Sequence, residues 1–115
     1  MTINGVEFDI DFTDADFIER YDEKTKEVEQ QIGALREKSL SPAQGIRQEC
    51  KIIKDFLDYV IGDGTSEKIF QGKDSLNLCL NAFEDMINEV DRQQQEFDAR
   101  LKKYSPERTK RWIYW

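Results

Sequence analysis

Four aspartates near the N-terminus form the densest set of side chains that could bind a metal ion. They are Asp9, Asp11, Asp14 and Asp16. An EF-hand loop also needs a glycine at its sixth position and a glutamate at its twelfth, and neither falls in place here. Asp9 and Asp11 alternate with apolar residues, as on the solvent-exposed face of a strand, whereas Asp14 and Asp16 suit the positive end of a helix dipole. We therefore expect no metal site.

Acid–base and nucleophilic catalysis lack their usual residues in this chain. It contains no histidine, which excludes triads built on that residue and removes the commonest zinc ligand. Glu84, Asp85 and Glu89 could act as paired acids, but we interpret them as a solvated helix face. The sequence predicts a protein that binds another protein, with no enzymatic activity and no cofactor.

Charge and composition narrow the classes of partner. The net charge is −7, and residues 100–115 carry six basic residues against one acidic, so the rest of the chain carries −12. An acidic surface of this kind repels nucleic acid. No apolar run approaches the roughly 18 to 20 residues that cross a bilayer, and no leader pattern is visible. We expect neither nucleic-acid nor membrane binding, and a cytoplasmic location.

The two cysteines, Cys50 and Cys79, each fall on an apolar helical stripe. A framework of disulfides needs more cysteines than two, and it belongs to secreted proteins. We expect both to be buried, reduced thiols.

The first twelve residues have the pattern of a strand and a tight turn. Apolar and acidic residues alternate from Val6 to Phe12, which predicts a strand with one apolar face. Asn4-Gly5 just before it is a hairpin signal. Because only three residues precede that turn, the hairpin would need to dock on helices or on another subunit.

Three long helices follow from the spacing of apolar residues. The first is predicted over residues 14–38 and opens with the capping pair Thr13 and Asp16. The second opens at Ser41-Pro42 with Gln44 and ends at Gly62. The third, of about 30 residues, opens at Asp74. Their apolar stripes are Ile18, Tyr21, Thr25, Val28, Ile32 and Leu35; Ile46, Cys50, Ile53, Leu57 and Val60; and Leu76, Leu80, Phe83, Ile87, Val90, Gln94, Phe97, Leu101 and Tyr104, with Cys79 and Met86 widening the early part of the third.

Two connections complete the predicted fold. The few residues between the first two helices favour an αα-hairpin. Residues 66–71 are expected to form a short helical turn whose Ile69 and Phe70 close one end of the core. The fold class is therefore mainly α, a helical bundle of three main helices with a short N-terminal β-hairpin or strand and a C-terminal helical extension. Residues 1–104 form one helical domain with a strand segment at 1–12, and residues 105–115 form a basic, aromatic extension.

Candidate partner-binding residues lie at the C-terminal end of the chain. From residue 91 onward the third helix keeps a narrow apolar seam among polar neighbours, so this half is expected to project from the core and to pair with another helix. Aromatic residues beside arginines, as at the end of the chain, dominate binding hot spots. An extension folded back onto the core explains the same residues equally well. The candidates are Phe97, Leu101, Tyr104, Trp112, Tyr114 and Trp115.

Several stretches together resemble the short tail assembly chaperones of phages that infect Gram-positive hosts. The stretches are residues 3–8, 14–16 with 19–21, 64–70 and 77–89. The resemblance spans residues 3–105 and rests on structural motifs. The final Trp112, Ile113, Tyr114 and Trp115 depart from it, since such proteins more often end in a basic polar tail.

This resemblance implies a homo-oligomeric protein of the host cytoplasm that is absent from the finished virion. Its partner would be the tape-measure protein or the tail tube protein, which it would keep soluble during tail assembly. Two other classes stay open: an acidic phage inhibitor of a host defence protein and a structural virion adaptor.

Overall fold

The computed structural model describes residues 1–104, and the predicted C-terminal extension lies outside this range. The structure is mainly helical with a small N-terminal sheet, which confirms the predicted fold class. The elements are β1 (Thr2–Ile3), β2 (Val6–Glu7), α1 (Ala15–Leu35), α2 (Pro42–Val60), α3 (Thr65–Phe70) and α4 (Leu76–Tyr104).

The N-terminal hairpin forms where the Asn-Gly pair predicts it. Asn4 and Gly5 both have positive φ, 48° and 83°, as a type I′ turn requires. The turn pairs Ile3 with Val6 in an antiparallel sheet. The longer strand predicted as far as Phe12 is wrong, because β2 ends at Glu7. Phe8 still exchanges main-chain hydrogen bonds with Met1, but the main chain of Ile10 and Phe12 bonds to the Gln93 side chain of α4 instead of to another strand.

Helix α1 begins at a different cap from the one predicted. Asp14 is the N-cap, and its carboxylate accepts a hydrogen bond from the Asp16 amide at 3.1 Å. Thr13 does not cap the helix, because its hydroxyl and its amide both donate to Asp11 Oδ1. The helix ends at Leu35, three residues before the predicted end, and the following residues form turns.

Helix α2 has the predicted boundaries. Ser41 and Gln44 exchange side-chain and backbone hydrogen bonds in a full capping box, with Pro42 in the first turn. The helix ends at Val60, and Gly62 follows with a φ of 147° that favours glycine.

The short helix α3 confirms the predicted turn, and its Ile69 and Phe70 are buried. Helix α4 begins at Leu76, and Ser75 stands at its start where Asp74 was predicted to be the cap. The Ser75 hydroxyl accepts a hydrogen bond from the Leu78 amide, and the Ser75 carbonyl accepts one from the Cys79 amide. Asp74 instead forms a salt bridge with Lys54 of α2, in which the Lys54 Nζ lies 2.7 Å from Asp74 Oδ1.

The core is centred on α2. Cys50, Ile53, Phe56, Leu57 and Val60 are each at most 1% exposed. On α4 the buried residues are Cys79, Ala82, Met86 and Val90, of which Cys79, Met86 and Val90 lie on the predicted apolar face. Leu80, predicted on that stripe, is 43% exposed.

Helices α1 and α4 both pack against α2. Tyr21 of α1 meets Phe56 of α2 edge to face at 6.1 Å, and the same Phe56 meets Phe83 of α4 at 5.1 Å. The start of α1 lies beside the end of α2, where Arg20 reaches the Val60 carbonyl oxygen at 3.5 Å, so these two helices run antiparallel as predicted.

Among residues 1–104, no helix is long and apolar enough to cross a membrane.

Candidate partner-binding groove

An open seam runs between α1 and α4. The two helices touch α2 far more than they touch each other. The beginning of α1 faces the C-terminal half of α4, and the end of α1 faces an earlier part of α4, so they run antiparallel. The seam holds two depressions that lie end to end, with volumes of about 650 Å³ and about 350 Å³. We call them the main groove and the small groove.

The main groove has an apolar floor and an acidic rim. Its large apolar residues come from the N-terminal segment (Phe12), from α1 (Ile18 and Tyr21) and from α4 (Val90 and Phe97). Its acidic residues are Glu19, Asp22 and Asp91, all of which are exposed. Apolar clefts with a few polar groups at the edge are typical of binding sites.

The small groove continues the seam and differs in charge. Its apolar residues are Val28, Ile32, Phe83 and Ile87, and its charged residues are one acid, Glu29, and one base, Arg36. The acidic character of the seam is therefore concentrated at the main groove.

The Tyr21 phenol reports on the electrostatics of the main groove. Burial raises the pKa of Tyr21, and the negative charges of Asp91 and Asp22 raise this pKa further. The two carboxylates act on one phenol from opposite walls, because Asp22 belongs to α1 and Asp91 to α4. The groove thus disfavours additional negative charge and favours positive charge.

One glutamine of α4 fixes the end wall of the main groove. The Gln93 side chain donates to the Ile10 carbonyl oxygen at 2.8 Å and accepts from the Phe12 amide at 2.7 Å. These bonds hold the irregular segment between β2 and α1 against the helix. Phe12 is thereby held in the lining of the groove.

A charged network supports this glutamine. Gln93 also donates to Glu89 Oε2 at 2.8 Å, and Arg92 donates to both carboxylate oxygens of Glu89 at 2.7 and 2.8 Å. The hydrogen bonds from Arg92 lower the pKa of Glu89 to about 2. Glu89 was interpreted from the sequence as solvated, which is wrong: its side chain is only 13% exposed.

The structure places the predicted binding residues at different distances from this groove. Phe97 is half-buried and lines the main groove. Leu101 is half-buried one turn farther along α4, and Tyr104 at its end is 75% exposed. Trp112, Tyr114 and Trp115 lie outside the described residues.

Sequence reasoning missed most of the groove. Ile18 and Tyr21 were assigned to the core stripe of the first helix, and Phe12 to a strand face. No pattern in the sequence singles out Gln93, which lies among three consecutive glutamines. Arg92, three residues after Glu89, was the available signal that this acid is paired.

The remaining candidates for chemistry are buried or dispersed. Cys50 and Cys79 are free and buried, as predicted. Burial and a hydrogen bond with Cys50 raise the pKa of the Cys79 thiol to about 12, so this thiol is protonated at neutral pH and a weak nucleophile. Within residues 1–104, no three acidic or cysteine side chains are grouped as a metal site would require.

Comparison with known proteins places the chain in a family but gives it no activity. No curated protein and no solved structure matches it. A family model described as a family of unknown function, DUF6673, matches residues 4–114, which is nearly the whole chain. The chain therefore belongs to the family of unknown function DUF6673.

Proposed function

We propose that this protein is a phage tail assembly chaperone that binds the tape-measure protein, or the tail tube protein, in the host cytoplasm. In this proposal it acts as a homo-oligomer, holds its client during assembly and is absent from the finished virion. It acts without catalysis and without a cofactor. The resemblance of residues 3–105 to such chaperones supports the identity of the client class.

The observation that carries the proposal is the apolar seam between α1 and α4. A chaperone for a long helical client needs an apolar surface that is open to the client and carried on a body that stays soluble. The main groove supplies about 650 Å³ of open volume over large apolar residues. The described body around it is strongly acidic, with 23 acidic against 14 basic residues in positions 1–104.

The distribution of polar residues also favours binding over chemistry. A catalytic site brings an acid, a base or a nucleophile to the floor of its cleft. Here the floor is made of Phe12, Ile18, Tyr21, Val90 and Phe97, and the carboxylates lie exposed at the rim. This arrangement suits recognition of an apolar segment.

Co-expression with the tape-measure protein from the same genome tests the proposal. We expect the client to move from the insoluble to the soluble fraction and to co-purify with the chain, and light scattering to give the mass of the complex. A double variant, Trp112→Ala with Trp115→Ala, is expected to weaken this complex. A client that stays insoluble while the chain remains an unbound monomer would contradict the proposal, as would a gene neighbourhood without tail genes.

The acidic surface favours one alternative, an inhibitor that occupies a basic groove of a host defence protein. Binding of that kind depends on long-range charge and collapses when salt is raised. Binding carried by the apolar seam should instead survive 0.5 M salt. A structural virion adaptor is distinguished by its persistence in purified particles.

A further inference from the structure

We infer that the α1–α4 seam binds an amphipathic helix whose apolar stripe is flanked by lysines or arginines, with the basic flanks at the main groove. This inference rests on the proposed function, because it names the part of a client that the chain would hold. It also applies to any protein partner that presents such a helix.

The length and shape of the seam suit a helix. Along α1 the two grooves extend from Ala15 to Arg36, which at 1.5 Å per residue is about 32 Å. An incoming helix of about 20 residues covers that distance. Since α1 and α4 already flank α2, a helix lying between them would complete a four-helix bundle. Within residues 1–104 the sheet offers no comparable site to an extended peptide, because both of its strands are two residues long.

The charges around the seam determine which charge the flanking residues of the bound helix should carry. Glu19 and Asp22 on one wall and Asp91 on the other leave the main groove acidic on both sides. Tyr21 lies between these walls, and its pKa is raised first by burial and further by the negative charges of Asp91 and Asp22. A helix with acidic flanks would be repelled here, whereas basic side chains can extend their apolar stems over the rim and reach the carboxylates.

The difference between the two grooves gives the occupant a direction. The small groove carries one acid and one base, so it does not select flanking charge. The basic residues of the partner should therefore be concentrated at the end of its helix that lies over the main groove. The opposite end, over Val28, Ile32, Phe83 and Ile87, requires only apolar contact.

Two fluorescent peptides of 21 residues provide a direct test. Both carry leucine at heptad positions a and d, and the flanking positions are lysine in one peptide and glutamate in the other. Fluorescence anisotropy with the full-length chain is expected to give a Kd at least tenfold lower for the lysine peptide at 0.1 M salt. Equal affinity for the two peptides would overturn the inference.

Variants of the full-length chain locate the binding. Reversal of the rim charges, Asp22→Lys with Asp91→Lys, is expected to weaken binding of the lysine peptide at least tenfold. The matched control is Glu23→Lys with Asp55→Lys, which makes the same change in net charge at exposed helix positions outside both grooves, and it should change Kd less than twofold. Equal losses in the two double variants would mean that only the total charge matters, and would overturn the inference.

A blocking variant tests the apolar part of the site. Ala15 is exposed and lines the main groove, so Ala15→Trp fills the groove without removing a core side chain. We expect it to abolish binding of the lysine peptide while the circular dichroism spectrum stays unchanged. Undiminished binding would place the peptide elsewhere and overturn the inference.

Self-association is the competing occupant, and it has its own readout. If Ala15→Trp changes the sedimentation coefficient of the chain alone and leaves peptide affinity unchanged, the seam holds a second copy and the inference fails. The peptides contain no tape-measure sequence. Peptide binding without solubilisation of the client would therefore contradict the proposed function and support the inference about the groove. Solubilisation of the client without peptide binding would support the proposed function and overturn the inference.

Discussion

The two halves of α4 have similar spacings of apolar residues but different surroundings. In residues 76–90 the helix buries Cys79, Ala82, Met86 and Val90 to 5% exposure or less. In residues 91–104 no side chain is fully buried, and Phe97 and Leu101 are only half-covered. The first half packs against α2 and the hairpin, whereas the second half borders the open main groove. Periodicity thus indicates which face of a helix is apolar, and the neighbouring elements decide whether that face becomes core or binding surface.

Truncation of one apolar side chain in each half of α4 should distinguish core from binding surface most clearly. Met86 is fully buried, so Met86→Ala is expected to lower the free energy of unfolding by about 2–5 kcal/mol. Leu101→Ala, in the half-covered region, should cost less than about 1 kcal/mol. Guanidinium denaturation followed by circular dichroism measures both. Equal costs would mean that the second half belongs to the core.

The contribution of the second half of α4 to stability should come instead from its polar contacts with the N-terminal segment. Gln93→Leu removes both bonds to the main chain around Phe12 and leaves those groups without their partner, which should cost about 1–3 kcal/mol. Hydrogen exchange at the Phe12 amide should accelerate. Gln95→Leu is the matched control, because Gln95 is exposed on the same helix, and it should leave the Phe12 amide protected.

The charged network behind Gln93 should make the second half sensitive to acid. The pKa of Glu89 falls from 4.5 to about 2 in the folded chain, so its contribution to stability is complete above pH 4.5 and is lost as pH falls toward 2. Because Arg92 is half-exposed and water screens the pair, we expect this contribution to be about 1 kcal/mol. Glu89→Gln should flatten the decline in unfolding free energy between these pH values. An unchanged slope would show that other carboxylates cause the decline.

The smallest effect concerns the phenol beneath the rim and should appear only in titration. Tyr21 is expected to ionise above the usual range for tyrosine, mainly because it is buried and further because of Asp91 and Asp22. Absorbance at alkaline pH, compared with Tyr21→Phe, isolates its titration. Asp91→Asn should shift the pKa part of the way back, with burial keeping the remainder. No shift would show that α4 is farther from Tyr21 than the groove requires.

The elements predicted correctly from sequence are those fixed by neighbouring residues. The Asn-Gly turn and the capping box of Ser41 with Gln44 depend on contacts within a few positions, and α3 is held at its start by Asp58, eight positions before Ser66. The wrong predictions concern positions where a residue distant in sequence takes the hydrogen bonds of the main chain. The extended strand failed because the Gln93 amide takes hydrogen bonds that a neighbouring strand would have made.

The candidate site was predictable only in part for the same reason. Phe97 was identified because its seam is local to one helix. The facing residues of α1 could not be separated from core residues, since an apolar stripe looks the same whether another helix covers it or not. Packing against α2 leaves α1 and α4 apart, and that spacing is set by the whole bundle.

The attachment of the N-terminal segment to α4 has a consequence for how the chain is made on the ribosome. Asn4 bonds to Leu78, and Phe12 and Ile10 bond to Gln93, across sequence separations of 74, 81 and 83 residues. At a translation rate of about 5–20 residues per second, the segment emerges roughly 4 to 17 seconds before its partners. Docking of the segment is therefore a late event of folding, so the end wall of the main groove is completed only after α4 has been synthesised at least as far as Gln93.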